Sequence, residues 1–249
     1  AVFALHPIQS EAVIWIAARN DPMSAVFALL ALWLLARPAA RGWRLPAAAA
    51  LAGLALLAKE SVLLLPGALL ALDLARGGLG SLWRYVSLLI GLGGALCLRA
   101  LSGVGETLLP SPEALRLAWA QTPDIVALIG SMIVWPSTLS TAWSIEWLAL
   151  SPGAFVLGLL VLLSLLAAPL LLPAERQRMA VAGIVIAVIF YLPAVVPIVS
   201  KGLVGERYLY LPMAGIGLWL AAVVPRRLSG GLLLLVPLCV LRIDARLPD

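Results

Sequence analysis

Three clusters of opposite charge stand where long apolar runs of this chain end. The first is His6-Pro7-Ile8-Gln9-Ser10-Glu11, followed by Arg19-Asn20-Asp21. Pro7 suits the first turn of a helix. On one continuous helix Glu11, Trp15 and Arg19, four residues apart, would share a face. That face would carry a carboxylate, an indole and a guanidinium. An amphipathic surface helix with a salt-bridged polar side has the same pattern. The second cluster is Lys59-Glu60, between two short apolar runs where a solvated turn would use Gly, Asn or Pro. A charge pair at that place implies a polar cavity, or else an ion pair that closes both helix ends. The third is Lys201 with Gly205-Glu206-Arg207-Tyr208-Leu209-Tyr210-Leu211-Pro212. Arginine suits a two-pronged grip on phosphate, and lysine adds a compact point charge. The plainer reading is a basic pair at the membrane edge with snorkelling tyrosines.

Other chemistries lack their residues. There is no phosphate-binding P-loop, no His-Glu-x-x-His and no Gly-x-Ser-x-Gly. His6 is the only histidine, which leaves no multi-histidine metal site. Cys97 and Cys239 lie in separate apolar runs and make no disulfide framework. Gly91-Leu92-Gly93-Gly94 falls inside an apolar run, where small residues point to close helix packing.

These clusters need elements to hold them, and composition says which. Of the 249 residues 63% are hydrophobic and 12% charged, too few charges to coat a soluble globule. Soluble enzymes, nucleic-acid binders and disordered chains are thereby set aside. The expectation is an all-α, polytopic membrane bundle. Its spans are Pro22–Ala36, Leu45–Ala58, Ser61–Leu74, Tyr85–Leu98, Ala154–Leu172, Met179–Val196, Leu209–Val224 and Gly230–Leu241. One set of loops holds nine arginines against two acids, Asp73 and Glu175, and is expected to be cytoplasmic. The other set, which carries the three clusters, has ten acids against eight basic residues and faces outward. Alternation of the spans then requires residues 100–152 to return to the outer side. An interfacial or re-entrant helix at 113–138 achieves this, with Trp119, Trp135, Trp143 and Trp147 at headgroup level. Residues 1–21 form an external interfacial helix. Residues 1–249 read as a single transmembrane domain, an excerpt that starts within a longer protein.

In this order and at these separations, the clusters resemble the membrane core of the transmembrane and tetratricopeptide-repeat O-mannosyltransferases and their bacterial relatives. These are glycosyltransferases of the GT-C fold. The matching segments are His6-Pro7…Glu11-Ala12-Val13 with Arg19-x-Asp21, Ala58-Lys59-Glu60, and Glu206-Arg207-Tyr208-Leu209-Tyr210-Leu211-Pro212. Trp135-Pro136-Ser137-Thr138-Leu139-Ser140 is similar to the family's proline-centred segment. The resemblance implies inverting transfer of a sugar, mannose in those relatives, from a polyprenyl-phosphate donor. The acceptor is a hydroxyl of a protein or glycan on the non-cytoplasmic face, in a bacterium the periplasmic side of the inner membrane. Its general base is an acid of an external loop upstream of Ala1, so Glu11, Asp21 and Glu60 are not raised to that role. The fragment alone is then expected to be inactive, and the repeats would follow Asp249.

On this reading Arg207, Lys201, Lys59 and Arg19 contact the donor phosphate. Glu11, Asp21, Glu60, Glu206 and Tyr208 orient those cations or meet the acceptor. His6 donates to phosphate or caps its helix, the cap being favoured. The partners are membrane lipid, lipid-linked donor and acceptor, and no nucleic acid. A transporter or flippase for a lipid-linked or anionic solute shares the paired charges and broken helices, but it wants a midplane site and an inverted repeat. In a non-catalytic scaffold every pair would be a structural bridge.

Overall fold

The computed structural model describes residues 3, 6–37, 40–103, 111–134, 143–146 and 151–225. The expected span Gly230–Leu241 and the Trp135–Ser140 segment lie outside the described residues, as does Val134's side chain. The described chain is helical apart from a two-residue ladder. Three helices are long and apolar enough to cross a membrane: Leu82–Leu101, Pro152–Leu171 and Ala174–Lys201. They mark a membrane protein. Four more apolar helices are shorter: Asn20–Leu35, Arg44–Ala58, Thr122–Ile133 and Pro212–Val223.

In chain order α1 is Ser10–Ile14, α2 Asn20–Leu35, α3 Arg44–Ala58, α4 Leu65–Ala75 and α5 Leu82–Leu101. Then come α6 Pro112–Ala120, α7 Thr122–Val134, α8 Pro152–Ala167, α9 Ala174–Tyr191, α10 Val195–Lys201 and α11 Pro212–Val223. Two helices start by the same local rule. Ser111 and Ser151 each precede a proline, and each hydroxyl accepts the N–H three residues on, from Ala114 at 3.1 Å and Ala154 at 3.3 Å. A serine cap satisfies an otherwise orphan donor, and proline at the next position has no N–H to lose.

Lipid tails are as apolar as leucine, so small residues and close backbone contact hold such helices together. Three helix pairs meet at glycines. A Cβ on Gly91 of α5 would sit 1.9 Å from the Ala49 carbonyl oxygen of α3. One on Gly158 of α8 would sit 1.9 Å from the Ala127 oxygen of α7. Gly183 of α9 and Gly215 of α11 exclude a Cβ mutually, at 2.7 and 2.4 Å from each other's carbonyl oxygens. Gly93 and Gly94 meet nothing, so only the first glycine of that run packs. The core has two lobes, one around α2–α5 and one around α7, α8 and α11, and α9 contributes to both. Outside them large apolar side chains stand open, such as Trp33, Ile90, Leu163 and Val188. Cys97 is exposed as well, not buried in its run.

Two arginine-side charges carry more than topology. Arg84 is fully buried and Asp73 is 1% exposed. Arg84 Nη1 and Nη2 donate to the two carboxylate oxygens of Asp73 at 2.7 and 3.0 Å. Its Nε donates at 2.9 Å to the Leu35 carbonyl that ends α2, and Nη2 donates there too. Tyr85 Oη at 2.7 Å and Gly80 N–H at 3.0 Å complete the shell around Asp73. A Cβ at Gly80 would fall 1.5 Å from Arg84 Nη1, so glycine is required there. The network ties α2, α4 and α5 at one end of the bundle.

Removing one partner of a buried pair strands the other, at a cost of about 3–5 kcal/mol. Arg84→Met is therefore expected to lower the thermal unfolding midpoint sharply, and Asp73→Leu added to it to recover most of the loss. Gly91→Leu is expected to destabilise α3 against α5, while Gly93→Leu leaves the midpoint nearly unchanged.

Candidate functional site

The other end of the bundle gathers the three clusters. The first does not form the continuous helix that four-residue spacing suggests. It runs as a 3-10 turn Pro7–Gln9, then α1, then a 3-10 turn Ile16–Ala18. The break is at Trp15, whose backbone is extended (φ −80°, ψ 114°). The Glu11–Trp15–Arg19 face is thereby undone. Glu11 turns inward and is 1% exposed, whereas Arg19 stays exposed. Among the described residues Arg19 does not line the polar cavity described below, and its neighbours Asn20 and Asp21 do.

His6 is a cap. Its Nδ1 accepts the Ile8 N–H at 3.2 Å and its Nε2 lies 2.8 Å from the Ile133 carbonyl oxygen. A carbonyl can only accept, so the proton sits on Nε2. With both ring nitrogens committed, nothing remains for a phosphate. Burial holds the imidazole below its ordinary value of 6.5, against the raising effect of the Ile133 hydrogen bond. Gln9 Nε2 donates to the carbonyls of Phe3 at 2.9 Å and Tyr210 at 3.3 Å, which fastens this segment to the third cluster.

The second cluster does not pair within itself. α3 stops at Ala58 because Lys59 is extended (φ −160°, ψ 139°). Lys59 Nζ bonds the Asp21 carboxylate, across from the start of α2. Glu60, 58% exposed, faces Arg99 Nη1 at 3.7 Å, and that nitrogen also donates to the Leu56 carbonyl at 3.1 Å.

The third cluster is a turn between α10 and α11. Gly202 ends α10 in the left-handed region (φ 63°), a conformation glycine takes without penalty. Leu203–Val204 (β2) then pairs antiparallel with Trp143–Ser144 (β1), and Ile145 N–H donates to the Gly202 carbonyl at 2.8 Å. This ladder brings residues 143–144 beside the site, and it has no signal in the sequence. A 3-10 turn Glu206–Leu209 follows. Glu11 Oε2 accepts the backbone N–H of Arg207 at 3.0 Å. Glu206 is fully buried and, among the described residues, is not part of the cavity wall.

The result is a polar cavity of about 260 Å³ walled by Asp21, Lys59, Glu60, Lys201, Arg207 and Tyr208, with Asn20 and prolines 193, 197 and 212. Lys59 and Arg207 both stand 5.5 Å from the Tyr208 ring centre, and Arg207 lies 5.0 Å from that of Trp15. Such stacking holds a guanidinium in place and leaves its edge donors available. Among the described residues Arg207 and Lys201 meet no carboxylate within ion-pair distance. The cavity thus gathers Arg207 and Lys201 with a lysine bonded to Asp21, a set of cations whose chemistry suits a compact anion. No three His, Cys, Asp or Glu side chains gather as a metal-holding group among the described residues. Asn20 and Pro212 stand inside the quoted clusters without a role there, and Pro193 and Pro197, which interrupt the apolar run that follows α9, carried no signal in the sequence.

A second, apolar groove of about 290 Å³ adjoins the polar one. Pro212 lines both, and Leu209, Met213 and Tyr191 line the groove. The stretch 207–213 therefore presents charge on one side and hydrocarbon on the other.

A histidine with a depressed folded-state value stabilises the fold above its unfolded value and withdraws that contribution as pH falls through 6.5. Wild-type chain is expected to lose thermal stability between about pH 7 and pH 5, and His6→Gln to start lower and show a flatter pH dependence. Circular dichroism melts over that range test this. Compared with protein-family models, curated proteins and solved structures, the chain matches none.

Proposed function

We propose that the chain is the membrane core of a glycosyltransferase that moves a sugar, mannose by the resemblance, from a polyprenyl-phosphate donor to a hydroxyl of a protein or glycan. One observation carries this reading. Arg207 is pinned through its backbone and stacked between rings, yet its guanidinium opens into a polar cavity that adjoins an apolar groove. A ligand that suits both compartments has an anionic head and a hydrocarbon tail.

In the transfer the acceptor oxygen bonds to the anomeric carbon as that carbon's bond to the phosphate oxygen breaks. The bonding pair goes to the phosphate and the hydroxyl proton to a base, for which no residue of this chain is assigned. Negative charge grows on the phosphate, where fixed cations lower the barrier. Arg207 and Lys201 take that role, and Lys59 joins them with its position set by Asp21. The proposed topology has eight spans, the short helices and Gly230–Leu241 included. The polar cavity then faces the periplasm or exterior of a bacterial inner membrane.

Arg207→Ala in the protein with its flanking segments is expected to cut transfer from radiolabelled polyprenyl-phosphate mannose by about 10²–10³-fold. Arg207→Lys should restore only part, because a point charge does not replace a planar fork. Unchanged transfer and donor affinity in Arg207→Ala would overturn the phosphate assignment. Donor that wild-type protein carries across vesicles intact, with no sugar transferred, would replace the enzyme with a transporter.

A further inference from the structure

The end of the bundle opposite the polar cavity holds a separate cavity with a different composition. A groove of about 350 Å³ runs between α4 and α9, walled by Leu74, Ala75, Val181 and Val185, with Gln177 and Arg178 at its mouth. Its walls are open to the surroundings: Leu74 is 56% exposed and Val181 45%. In a membrane this places an apolar slot against the lipid tails and its mouth at the headgroups.

The mouth is cationic. Arg178 is exposed, and among the described residues it has no hydrogen bond or ion pair. Its Nη1 lies 3.7 Å from where a Cβ on Gly77 would be, so it leans over the turn that follows α4. Arg76, the residue before Gly77, donates only Nη1, to the Ala36 carbonyl at 2.7 Å. Its other nitrogens have no partner among the described residues. The nearby acids do not cancel these charges. Asp73 is spent on Arg84, Tyr85 and Gly80, and Glu175 forms no ion pair among the described residues. A guanidinium in the lining of a hydrocarbon slot, Arg178, with Arg76 on the adjoining turn, matches one chemistry, an acyl chain joined to a phosphate. Basic pockets between helices at this kind of boundary suit anionic lipid headgroups.

We propose that the α4–α9 groove binds an anionic phospholipid of the leaflet at the arginine-rich end, its acyl chain along Leu74, Val181 and Val185 and its phosphate on Arg178 and Arg76. The site is independent of the polar cavity and of what that cavity binds. The lipid bears on α9, the helix shared by both core lobes, whose C-terminal continuation supplies Pro193 and Ala194 to the polar cavity.

The test is native mass spectrometry of the whole chain released from detergent after titration with phosphatidylglycerol, phosphatidylcholine or inorganic phosphate. Wild type is expected to retain phosphatidylglycerol at least about five-fold over phosphatidylcholine. Arg178→Gln should reduce that preference, and Arg178→Gln with Arg76→Gln should abolish it. Val185→Trp, which fills the slot and keeps both charges, should lose the retained lipid. Arg41→Gln, at an exposed basic position outside the groove's lining, should leave retention unchanged. Equal retention of the two lipids would overturn the proposal. So would an equal loss in the Arg41 variant, which would assign the effect to a diffuse field. Displacement of phosphatidylglycerol by millimolar inorganic phosphate would make this a free-anion site and overturn it too. All the substituted side chains are exposed, and a monodisperse elution profile confirms that each variant is folded.

Discussion

The hydrogen bond from the Arg207 main-chain N–H to the buried carboxylate of Glu11 joins the first cluster to the third, and the polar end of the molecule depends on it. At 3.0 Å it fixes the turn that sets the guanidinium beside the rings of Trp15 and Tyr208. Charge-assisted hydrogen bonds in a low-dielectric setting are strong enough to define a backbone position. Gln9 repeats the device one turn earlier, with its amide on the Tyr210 carbonyl. Two segments nearly 200 residues apart are thus joined through side chain to backbone.

The same economy explains Lys59. Its ion pair with Asp21 joins the end of α3 to the start of α2 and sets the ammonium beside Tyr208. Glu60 is taken by Arg99 at the end of α5. Asp21 is thereby held by a cation of the cavity wall and Glu60 by one outside it. Lys201 and Arg207, on either side of the Gly202 turn, add two further positive charges to that wall. The charge balance of the cavity is set by how the acids are distributed as much as by the cations themselves.

The helical class was readable from composition, and the positions of some helices from apolar runs, while others were displaced, such as Ala174–Tyr191 against the expected Met179–Val196. Arg44–Ala58 and Pro152–Ala167 fall within a few residues of the expected spans. The clusters at Lys59 and Arg207 stood out because charge is costly beside hydrocarbon. What escaped had no periodic signature. Trp15 leaves the helix through a backbone angle that tertiary contacts select, so four-residue spacing placed Arg19 on a face that does not exist. The β1–β2 ladder is two residues long, too short for any alternation. Asp73 and Arg84 read as loop charges because their pairing spans the turn from α4 to α5. The full burial of Arg84 and the close approach at Gly80 show the guanidinium inside.

Comparing Arg84 with Arg207 separates structure from function on physical grounds. Both are arginines at the ends of apolar helices, and both are held tightly. Arg84 is wholly buried, with a bidentate carboxylate and a helix-terminal carbonyl satisfying its donors. Such a group is a fastener, since any ligand would have to displace bonds made at full desolvation cost. Arg207 is only half-buried, and it is restrained by ring stacking and by its own backbone. Neither restraint consumes the guanidinium's hydrogen-bond donors. An arginine that is held in place with its edge donors unbonded among the described residues has met part of the entropic cost of binding in advance, which is what a preorganised anion site requires.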